Sequence, residues 1–517
     1  MIKGYLKRQG ITSQHVDLSV MFLKKCLNLN YIKENLFDYY NKLNPLKKEQ
    51  INFLSKNMDI LRKNVSSEAR LLASENFIKG LNCVLEYYDL SWNKKGIFFK
   101  KPIIDIDEII NLSFSSDCSV FDSVLNDELD KFKNDFIYIC VSYDFQLPFA
   151  LRFAKMIKEN NTNSKIILGG NYLTHIIDNC EELMKKFKFI DVIVFYGYLN
   201  TIYELIEHYD INFNNVVNTF IRKNNKVLKN NIKKDNINDI SLYIPDFSDL
   251  DFNLYLTSKK TIPLLLNYGC YYGKCNFCSH HFYYGGYCAM DFDKICKFIK
   301  NEYFDNKIEC IIFVDECLPA NVIIDFALFL IDNNIKINWL METRIDTLFL
   351  NIDTVKTLYQ SGCKFVTFGI ESNSNVTLHK MNKNVDLKVA KKVLKNFYLN
   401  GIITAATFMV GYPTEKWLSV FKTFNFIKHF KYIDVFGLNI FKLVRNSILA
   451  SQSNVNKTDD LGLIYSYKGE KRNKMSKKIL RIYKNRKFKN HFEVENKILN
   501  RVEYTILDRS KFSLNFK

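Results

Sequence analysis

The sequence predicts an α/β protein with two parallel-sheet units, the second of which is a partial (βα)6 TIM-like barrel. Six short apolar runs alternate with helical patterns between residues 261 and 441, which is typical of repeated βα units. A shorter alternation of the same kind occupies residues 136–208. Six strands rather than eight indicate an incomplete barrel.

Composition excludes several classes of protein. The chain has 517 residues, of which 47% are apolar, and this is enough to build several buried cores and excludes disorder throughout. No run of 18 residues is free of charged and strongly polar side chains, so we expect no membrane-spanning helix and no membrane partner. The N-terminus lacks a signal-peptide pattern. The thirteen cysteines are thinly scattered, which favours a cytoplasmic protein with reduced thiols.

The chain divides into five predicted segments. The first and last carry no recognisable catalytic motif, whereas the two parallel-sheet units carry the candidate chemistry. The segments are a mostly helical N-terminal region at 1–125, an α/β domain at 126–215, a linker with a hairpin around Asn224-Asn225 at 216–258, the barrel at 259–450, and a basic C-terminal region at 451–517.

The smaller α/β unit contains three predicted strands followed by helices. Open sheets of this kind bind ligands at the carboxyl ends of their strands. The strands are predicted at 136–142, 165–170 and 189–197, and the glycines at or next to the ends of the last two, where a ligand could approach the backbone, are Gly169, Gly170 and Gly197.

The barrel strands end in polar residues. Strands are predicted at 261–269, 308–316, 336–344, 364–372, 402–411 and 432–441, with helices at 291–304, 320–333, 353–361, 385–400 and 415–429. Parallel barrels place their chemistry at the carboxyl ends of the strands. There the sequence places a cysteine-containing loop, Asp315-Glu316, Arg344, Glu371-Ser372 and Gly411-Tyr412-Pro413. Their recurrence at one end of successive strands predicts a polar pocket.

The loop after the first barrel strand carries the strongest motif. Cys270, Cys275 and Cys278 follow a C-x4-C-x2-C spacing. A structural zinc site uses four closed ligands, whereas three thiolates on an iron–sulfur centre leave one iron open to a small molecule. A Cys3His zinc knuckle that uses His280 or His281, and clustering by chance, are the alternatives.

With its flanking segments, this loop resembles the core of a radical S-adenosylmethionine (SAM) enzyme, and the x4 spacing resembles that of cobalamin-binding members. The segments FVDE (313–316), METR (341–344), GIES (369–372), KMNK (380–383) and FMVGYPTE (408–415) are also similar to strand-end segments of that family. The resemblance implies that the three cysteines hold a 4Fe-4S cluster whose fourth iron binds SAM. It places Phe277 near the adenine, and Glu371 and Ser372 near the ribose or the amino acid moiety.

Some of these residues also have purely structural interpretations. Glu371 could cap the helix that follows it, and Arg344, taken here as a cofactor-binding candidate, could pair with Asp315 or Glu316. Gly411 and Pro413 are typical turn formers.

Next to a radical SAM core, residues 126–215 resemble a flavodoxin-like cobalamin-binding domain. Ser142 precedes Gly169 by 27 positions, similar to the serine to Gly-Gly spacing at which such domains bury the nucleotide tail of cobalamin. The D-x-H-x-x-G loop that supplies a lower cobalt ligand is absent from the sequence, and the acidic turn expected after the third strand reads Gly197-Tyr198-Leu199-Asn200. A scaffold domain without cobalamin is the alternative.

The resemblance implies an enzyme that uses a 4Fe-4S cluster, SAM and cobalamin to methylate or otherwise modify an unactivated carbon of a small molecule or peptide. An electron donor such as flavodoxin or ferredoxin would reduce it. One alternative is a cobalamin-independent rearrangement or cyclisation. Another is a non-enzymatic zinc or iron–sulfur protein that binds nucleic acid through residues 468–490, where eleven Lys/Arg and one Glu give a net charge of +10. For that segment we favour a solvated helical face.

Overall fold

The structure is a computed structural model in which the chain forms two compact units. The first comprises residues 1–239, 245–258 and 283–285, and the second comprises the rest. Gly197 and most of the basic segment 468–490 lie outside the described residues. The structure describes all residues except 26, 64, 94–95, 100–105, 134, 197–198, 210–215, 234–243, 414, 442, 453–454, 458–464, 468–469, 472–491 and 494–517.

The N-terminal region is mostly helical, as predicted, and also contains one hairpin that the sequence did not reveal. Its helices are α1 (Ile2–Arg8), α2 (Leu18–Lys25), α3 (Leu29–Asn35), α4 (Phe37–Lys42), α5 (Pro45–Asn52), α6 (Leu54–Arg62), α7 (Ser67–Leu85), α8 (Ile106–Ser113) and α9 (Asp122–Glu128), and the antiparallel hairpin is β1 (Leu90–Asn93) with β2 (Gly96–Phe99). A local signal marks the start of α5. Asn44 caps α5 by accepting from Lys47 N at 2.9 Å, and Pro45 takes the first position.

The α/β domain forms the three predicted strands and their helices. The elements are β3 (Phe136–Cys140), α10 (Leu147–Asn160), β4 (Lys165–Gly169), α11 (Asn171–His175), α12 (Ile177–Lys186), β5 (Val192–Val194) and α13 (Leu199–His208). The strands β3, β4 and β5 are parallel. One face of the sheet packs Ile167, Val192 and Val194 against Ile202 and Leu205 of α13, so each apolar strand run is explained by burial.

The predicted hairpin around Asn224 and Asn225 forms and extends this sheet. Strands β6 (Thr219–Lys223) and β7 (Lys226–Lys229) pair with each other, and β6 also pairs antiparallel with β5. Both asparagines have positive φ, 48° and 61°, the conformation of a type I′ turn. The sheet order is therefore β3-β4-β5-β6-β7, and the hairpin belongs to the sheet rather than to a free-standing linker.

All six predicted barrel strands form, in the predicted order. The elements from residue 261 onward are, in chain order, β8 (Thr261–Leu264), β9 (Asn267–Tyr268), α14 (His280–Tyr283), β10 (Cys288–Ala289), α15 (Phe292–Phe304), β11 (Cys310–Phe313), α16 (Ala320–Asp332), β12 (Asn338–Thr343), α17 (Ile352–Gln360), β13 (Cys363–Glu371), α18 (Asn375–Lys380), α19 (Leu387–Leu399), β14 (Ile403–Val410), α20 (Trp417–His429), β15 (Val435–Ile440), β16 (Val455–Lys457), β17 (Tyr465–Tyr467), β18 (Glu470–Lys471) and β19 (Phe492–Glu493). Helices α14 and α18 and the short strands β9, β10 and β16–β19 were not predicted separately.

The barrel sheet is parallel and open. Its order is β8-β11-β12-β13-β14-β15-β19, and within the described ranges no pairing joins β8 to β19. Leu340, Phe365, Ile403 and Val435 form a core cluster on four neighbouring strands. These apolar side chains match the predicted strand runs.

Aromatic side chains fix the outer helices on the sheet. Phe313 and Trp339 of the strands meet Phe326 of α16, with ring centroids 4.9–6.0 Å apart and near-perpendicular planes, a favourable edge-to-face geometry. Across the described part of the chain, none of the helices combines the length and the apolar character that crossing a bilayer requires.

Candidate metal and cofactor site

A short ladder and a buried carboxylate hold the base of the cysteine loop. Strand β9 pairs with β10 and closes the segment between them. Asp315, at the carboxyl end of β11, accepts hydrogen bonds from the backbone N–H groups of Leu266 at 3.1 Å and Asn267 at 2.6 Å. Tyr287 Oη donates to Asn267 Oδ1 at 2.8 Å. Burial raises the pKa of Asp315 to about 7, against these hydrogen bonds. The predicted polar strand end therefore anchors the loop.

The loop surrounds the sulfur of Cys270 with donors. A hydrogen bond from Cys317, together with the backbone N–H groups of Gly273 and Tyr272, lowers the pKa of Cys270 to about 5 in spite of burial. Gly273 has φ of 58°, which a side chain would strain. Thiolates that bind metal need such second-layer donors, so the local backbone suits a thiolate ligand.

The three cysteines of the motif interact electrostatically, because Cys270 and Cys278 both act on Cys275. Burial raises the pKa of Cys275, Lys383 and Arg344 lower it, and Cys278 and Cys270 add to the increase. Cys278 N also donates to Cys275 O at 3.1 Å. In the part of the chain that the structure describes, no three Cys, His, Asp or Glu side chains are gathered in a metal-binding arrangement. Their role as cluster ligands therefore stays a prediction.

Residues 380–382 hold the outer side of the cysteine loop. Asn276 N donates to Met381 O at 2.9 Å, and its side-chain amide donates to Lys380 O at the same distance. In the other direction, Asn382 Nδ2 donates to Lys274 O at 2.8 Å. These three hydrogen bonds, one between main-chain groups and two from side-chain amides to main-chain carbonyls, link two segments about a hundred residues apart. The loop geometry therefore depends on the KMNK segment.

Phe277 packs into an apolar cluster at the same end of the barrel. Its neighbours are Met381, Tyr412, Phe441, Leu443, Leu449 and Ala450, with Met409 at the edge. Leu449 N donates to Asn276 O at 2.8 Å, which ties the chain after β15 to the loop. An apolar patch beside the cysteines fits the flat ring of an adenine, and the contact of Phe277 with adenine stays a prediction.

Arg344 contacts the cysteine loop directly. Its guanidinium carbon lies 3.7 Å from the centre of the Tyr272 ring, and Nη1 lies 3.9 Å from Cys275 Sγ. Nη2 donates to the carbonyl of Lys383. The two carboxylates considered as alternative partners have other contacts, because Asp315 serves the loop base and Glu316 pairs with His280.

Glu371 and Lys383 form a buried ion pair that the sequence did not predict. Lys383 Nζ lies 3.1 Å from Glu371 Oε1, and both side chains are about nine-tenths buried. Burial lowers the pKa of Lys383, but Glu371 and Cys275 outweigh it and leave that pKa raised. A side chain at Gly369 would lie 2.7 Å from Lys383 Nζ, so the G of GIES makes room for the lysine. In the sequence, Lys383 was noted only as the last residue of the KMNK segment (380–383).

The backbone at Glu371 is unusual. Its φ is 67°, and the pairing of β13 with β14 shifts between Gly369 and Glu371. Such conformations in residues other than glycine concentrate at functional sites. Helix α18 begins at Asn375 with Ser374 as its cap, so Glu371 does not cap it.

Ser372 has a different environment from Glu371. It is completely buried, and its Oγ lies 3.3 Å from Thr423 Oγ1 on α20. The structure thus places its hydroxyl against an outer helix. Its predicted proximity to SAM remains a prediction.

The environment of His280 bears on the zinc alternative. Its Nδ1 lies 2.9 Å from Glu316 Oε2. Burial lowers the pKa of His280, but hydrogen bonds to Cys278 and Glu316 outweigh it and raise the pKa to about 11. In this structure His280 is therefore an ion-pair partner of Glu316.

Gly169 and Gly170 of the α/β domain are explained by the domain's own packing. A Cβ at Gly169 would lie 2.2 Å from Tyr138 Oη, and one at Gly170, where φ is 114°, would lie 2.3 Å from Val141 O. Ser142 N donates to Gln146 Oε1 at 2.8 Å. Tyr138 and Val141 thus explain both glycines without a ligand. The cobalamin contacts assigned to Ser142, Gly169 and Gly170 remain predictions.

Comparison with known proteins by sequence finds distant relatives. No protein-family model matches the chain. An uncharacterized methyltransferase of Pyrococcus horikoshii is 24% identical over 286 residues, which is 54% of this chain and 61% of the relative. An anaerobic magnesium-protoporphyrin IX monomethyl ester cyclase of Rubrivivax gelatinosus is 24% identical over 185 residues, which is 35% of this chain and 33% of the relative. The chain thus spans between a third and three fifths of these relatives.

Comparison with solved structures identifies the fold. The radical SAM methyltransferase TsrM of Kitasatospora setae, solved with cobalamin and a [4Fe-4S] cluster bound, matches with a TM-score of 0.53 and 12% identity over 65% of this chain and 72% of that chain. The cobalamin-dependent radical SAM enzyme OxsB, solved with aqua-cobalamin and SAM, matches with a TM-score of 0.51 and 16% identity over 70% and 49%. The predicted fold, a radical SAM core with a cobalamin-type domain, is confirmed.

Proposed function

We propose that this chain, which has the fold of cobalamin-binding radical SAM enzymes, is itself a radical SAM enzyme whose cluster is held by Cys270, Cys275 and Cys278. The observation that carries the proposal is the donor-lined cysteine loop at the carboxyl end of the first barrel strand. When bound, a 4Fe-4S cluster would supply the electron that splits SAM into methionine and a 5′-deoxyadenosyl radical.

The surrounding residues have distinct tasks in this proposal. The N–H groups of Tyr272 and Gly273 stabilise the Cys270 thiolate. Glu371 and Lys383 present a carboxylate and an ammonium, the two charges that complement the amino and carboxylate groups of the methionine part of SAM. The apolar patch around Phe277 covers the adenine and excludes water from the radical.

We further propose that the α/β domain binds cobalamin and that the enzyme methylates an unactivated carbon of a small molecule or peptide. Support comes from the fold, since TsrM and OxsB were both solved with cobalamin, and from the methyltransferase among the relatives. Gly169 and Gly170 do not by themselves leave space for a ligand, because Tyr138 and Val141 occupy the space beside them.

A cobalamin-independent cyclisation or rearrangement is the second candidate. The packing of Tyr138 over Gly169 favours it, and the relative from Rubrivivax gelatinosus is an anaerobic cyclase. Retention of cobalamin after anaerobic purification, read from its visible absorption, separates the two. Either reaction needs a reductant, for which we propose a flavodoxin or ferredoxin. Either reaction also needs cysteines that stay reduced, and we therefore propose that the protein is cytosolic.

Metal content tests the cluster itself. After anaerobic reconstitution, the wild type is expected to hold about four irons and four sulfides, and Cys275→Ala to lose them while the α/β domain stays folded. His280→Gln is the matched control and should keep its iron. Stoichiometric zinc without sulfide, or iron retained in full by Cys275→Ala, would overturn the assignment.

A further inference from the structure

We propose that Arg344 and Lys383 are positioning residues that set the reduction potential of the cluster through the charge they place beside Cys275. This inference rests on the proposed function. It differs from the expectation that Arg344 contacts SAM, because the observed neighbours of Arg344 are the loop and its sulfur.

Contacts define the position of the first cation. Arg344 is 8% exposed and Cys275 is 9% exposed, so both are shielded from bulk water. The guanidinium is fixed on three sides, by the Tyr272 ring, by the carbonyl of Lys383 and by Cys275 Sγ at 3.9 Å. A planar, permanently charged group held in this way keeps its charge at a constant distance from the sulfur.

The second cation is held by a carboxylate. Lys383 is 8% exposed and lies 3.1 Å from Glu371, with its ammonium 5.9 Å from the centre of the Phe277 ring. Lys383 also lies within electrostatic reach of Cys275. Two positive charges, those of Arg344 and Lys383, thus act on this sulfur, and the one negative charge, that of Glu371, is paired with Lys383. The side chains around the sulfur therefore contribute a net positive field in a buried region.

A net positive field favours the reduced cluster. Reduction adds one negative charge, and a nearby buried cation stabilises it more than a solvated one does. Removing Arg344 or Lys383 should therefore make the cluster harder to reduce, and removing the charge of Glu371 should make it easier to reduce. A residue that only supports the fold has no reason to produce shifts of opposite sign.

The test is anaerobic redox titration of reconstituted full-length protein without SAM, followed by electron paramagnetic resonance of the reduced cluster. The variants are Arg344→Met, Arg344→Lys, Lys383→Met and Glu371→Gln. Lys395→Met is the matched control, since it removes one charge from an exposed position of α19. Iron and sulfide contents are measured first, so that failure to load wild-type protein, which refutes the proposed function, is distinguished from an unchanged potential.

We expect Arg344→Met and Lys383→Met to shift the ratio of reduced to oxidised cluster about tenfold toward the oxidised form at a fixed potential, equivalent to 59 mV for one electron. Glu371→Gln should shift it the other way, and Arg344→Lys and Lys395→Met should stay near wild type. If Arg344→Met does not bind a full cluster, the potentials of Lys383→Met and Glu371→Gln decide whether the inference holds. Equal potentials in all loaded variants, or shifts in one direction only, would overturn the inference.

Discussion

Lys383 Nζ lies 3.1 Å from Glu371 Oε1, and both side chains are about nine-tenths buried. Removal of one partner leaves the other as an unpaired buried charge. We expect Glu371→Ala to lower the free energy of unfolding of the barrel by about 3 kcal/mol.

Glu371→Leu combined with Lys383→Met should recover most of that loss, because no buried charge then remains. Urea denaturation followed by fluorescence, with buried Trp339 as a reporter in the barrel, measures both variants. A double variant as unstable as Glu371→Ala would show that packing, rather than charge, explains the pair.

Gly169 and Tyr138 give a second prediction. Gly169→Ala should destabilise the cobalamin-free protein by about 1–3 kcal/mol, because the added methyl group overlaps the Tyr138 ring. Tyr138→Ala should relieve the overlap, so the double variant should be less affected by the change at 169 than the wild type is. If Gly169→Ala leaves stability unchanged and only weakens cobalamin binding, the glycine is there for the ligand.

Ser372 and Glu371 are neighbours in sequence but should differ in function. The hydroxyl of Ser372 faces Thr423, so Ser372→Ala should cost about 1 kcal/mol of stability and leave SAM affinity within about twofold of wild type. Isothermal titration of reconstituted protein with SAM measures the affinity. A large loss of affinity in Ser372→Ala would place this hydroxyl at the cofactor instead.

Asp315 predicts a dependence of stability on pH. Burial raises its pKa to about 7 from an unfolded value of 3.8, so the folded protein binds the proton more tightly than the unfolded chain between these values. The stabilisation is complete below about pH 4 and is lost as the pH rises through about 7. The difference in unfolding free energy between wild type and Asp315→Asn should therefore fall from about pH 4.5 to 7.5. A difference that is constant or rises with pH would contradict it.

Local sequence patterns predicted most of the secondary-structure elements, whereas contacts between residues far apart in the sequence could not be predicted from them. The six barrel strands form where apolar runs predicted them, since each run is buried by its neighbours. Helix α18 is six residues long, too short to show periodicity. The cysteine spacing is local and was visible, whereas the contact of Arg344 with Cys275 spans 69 residues and depends on how the strands align. No periodicity in the sequence identifies Lys383 as a buried residue, because its partner, Glu371, comes close only when the chain is folded.

Cleavage of SAM tests the central claim most directly. Reconstituted wild-type protein, reduced under anaerobic conditions with SAM present, should release 5′-deoxyadenosine and methionine in equal amounts, and Cys275→Ala treated in the same way should release neither. Wild-type protein that carries a full cluster and leaves SAM intact, or a Cys275→Ala protein that still cleaves it, would contradict the account.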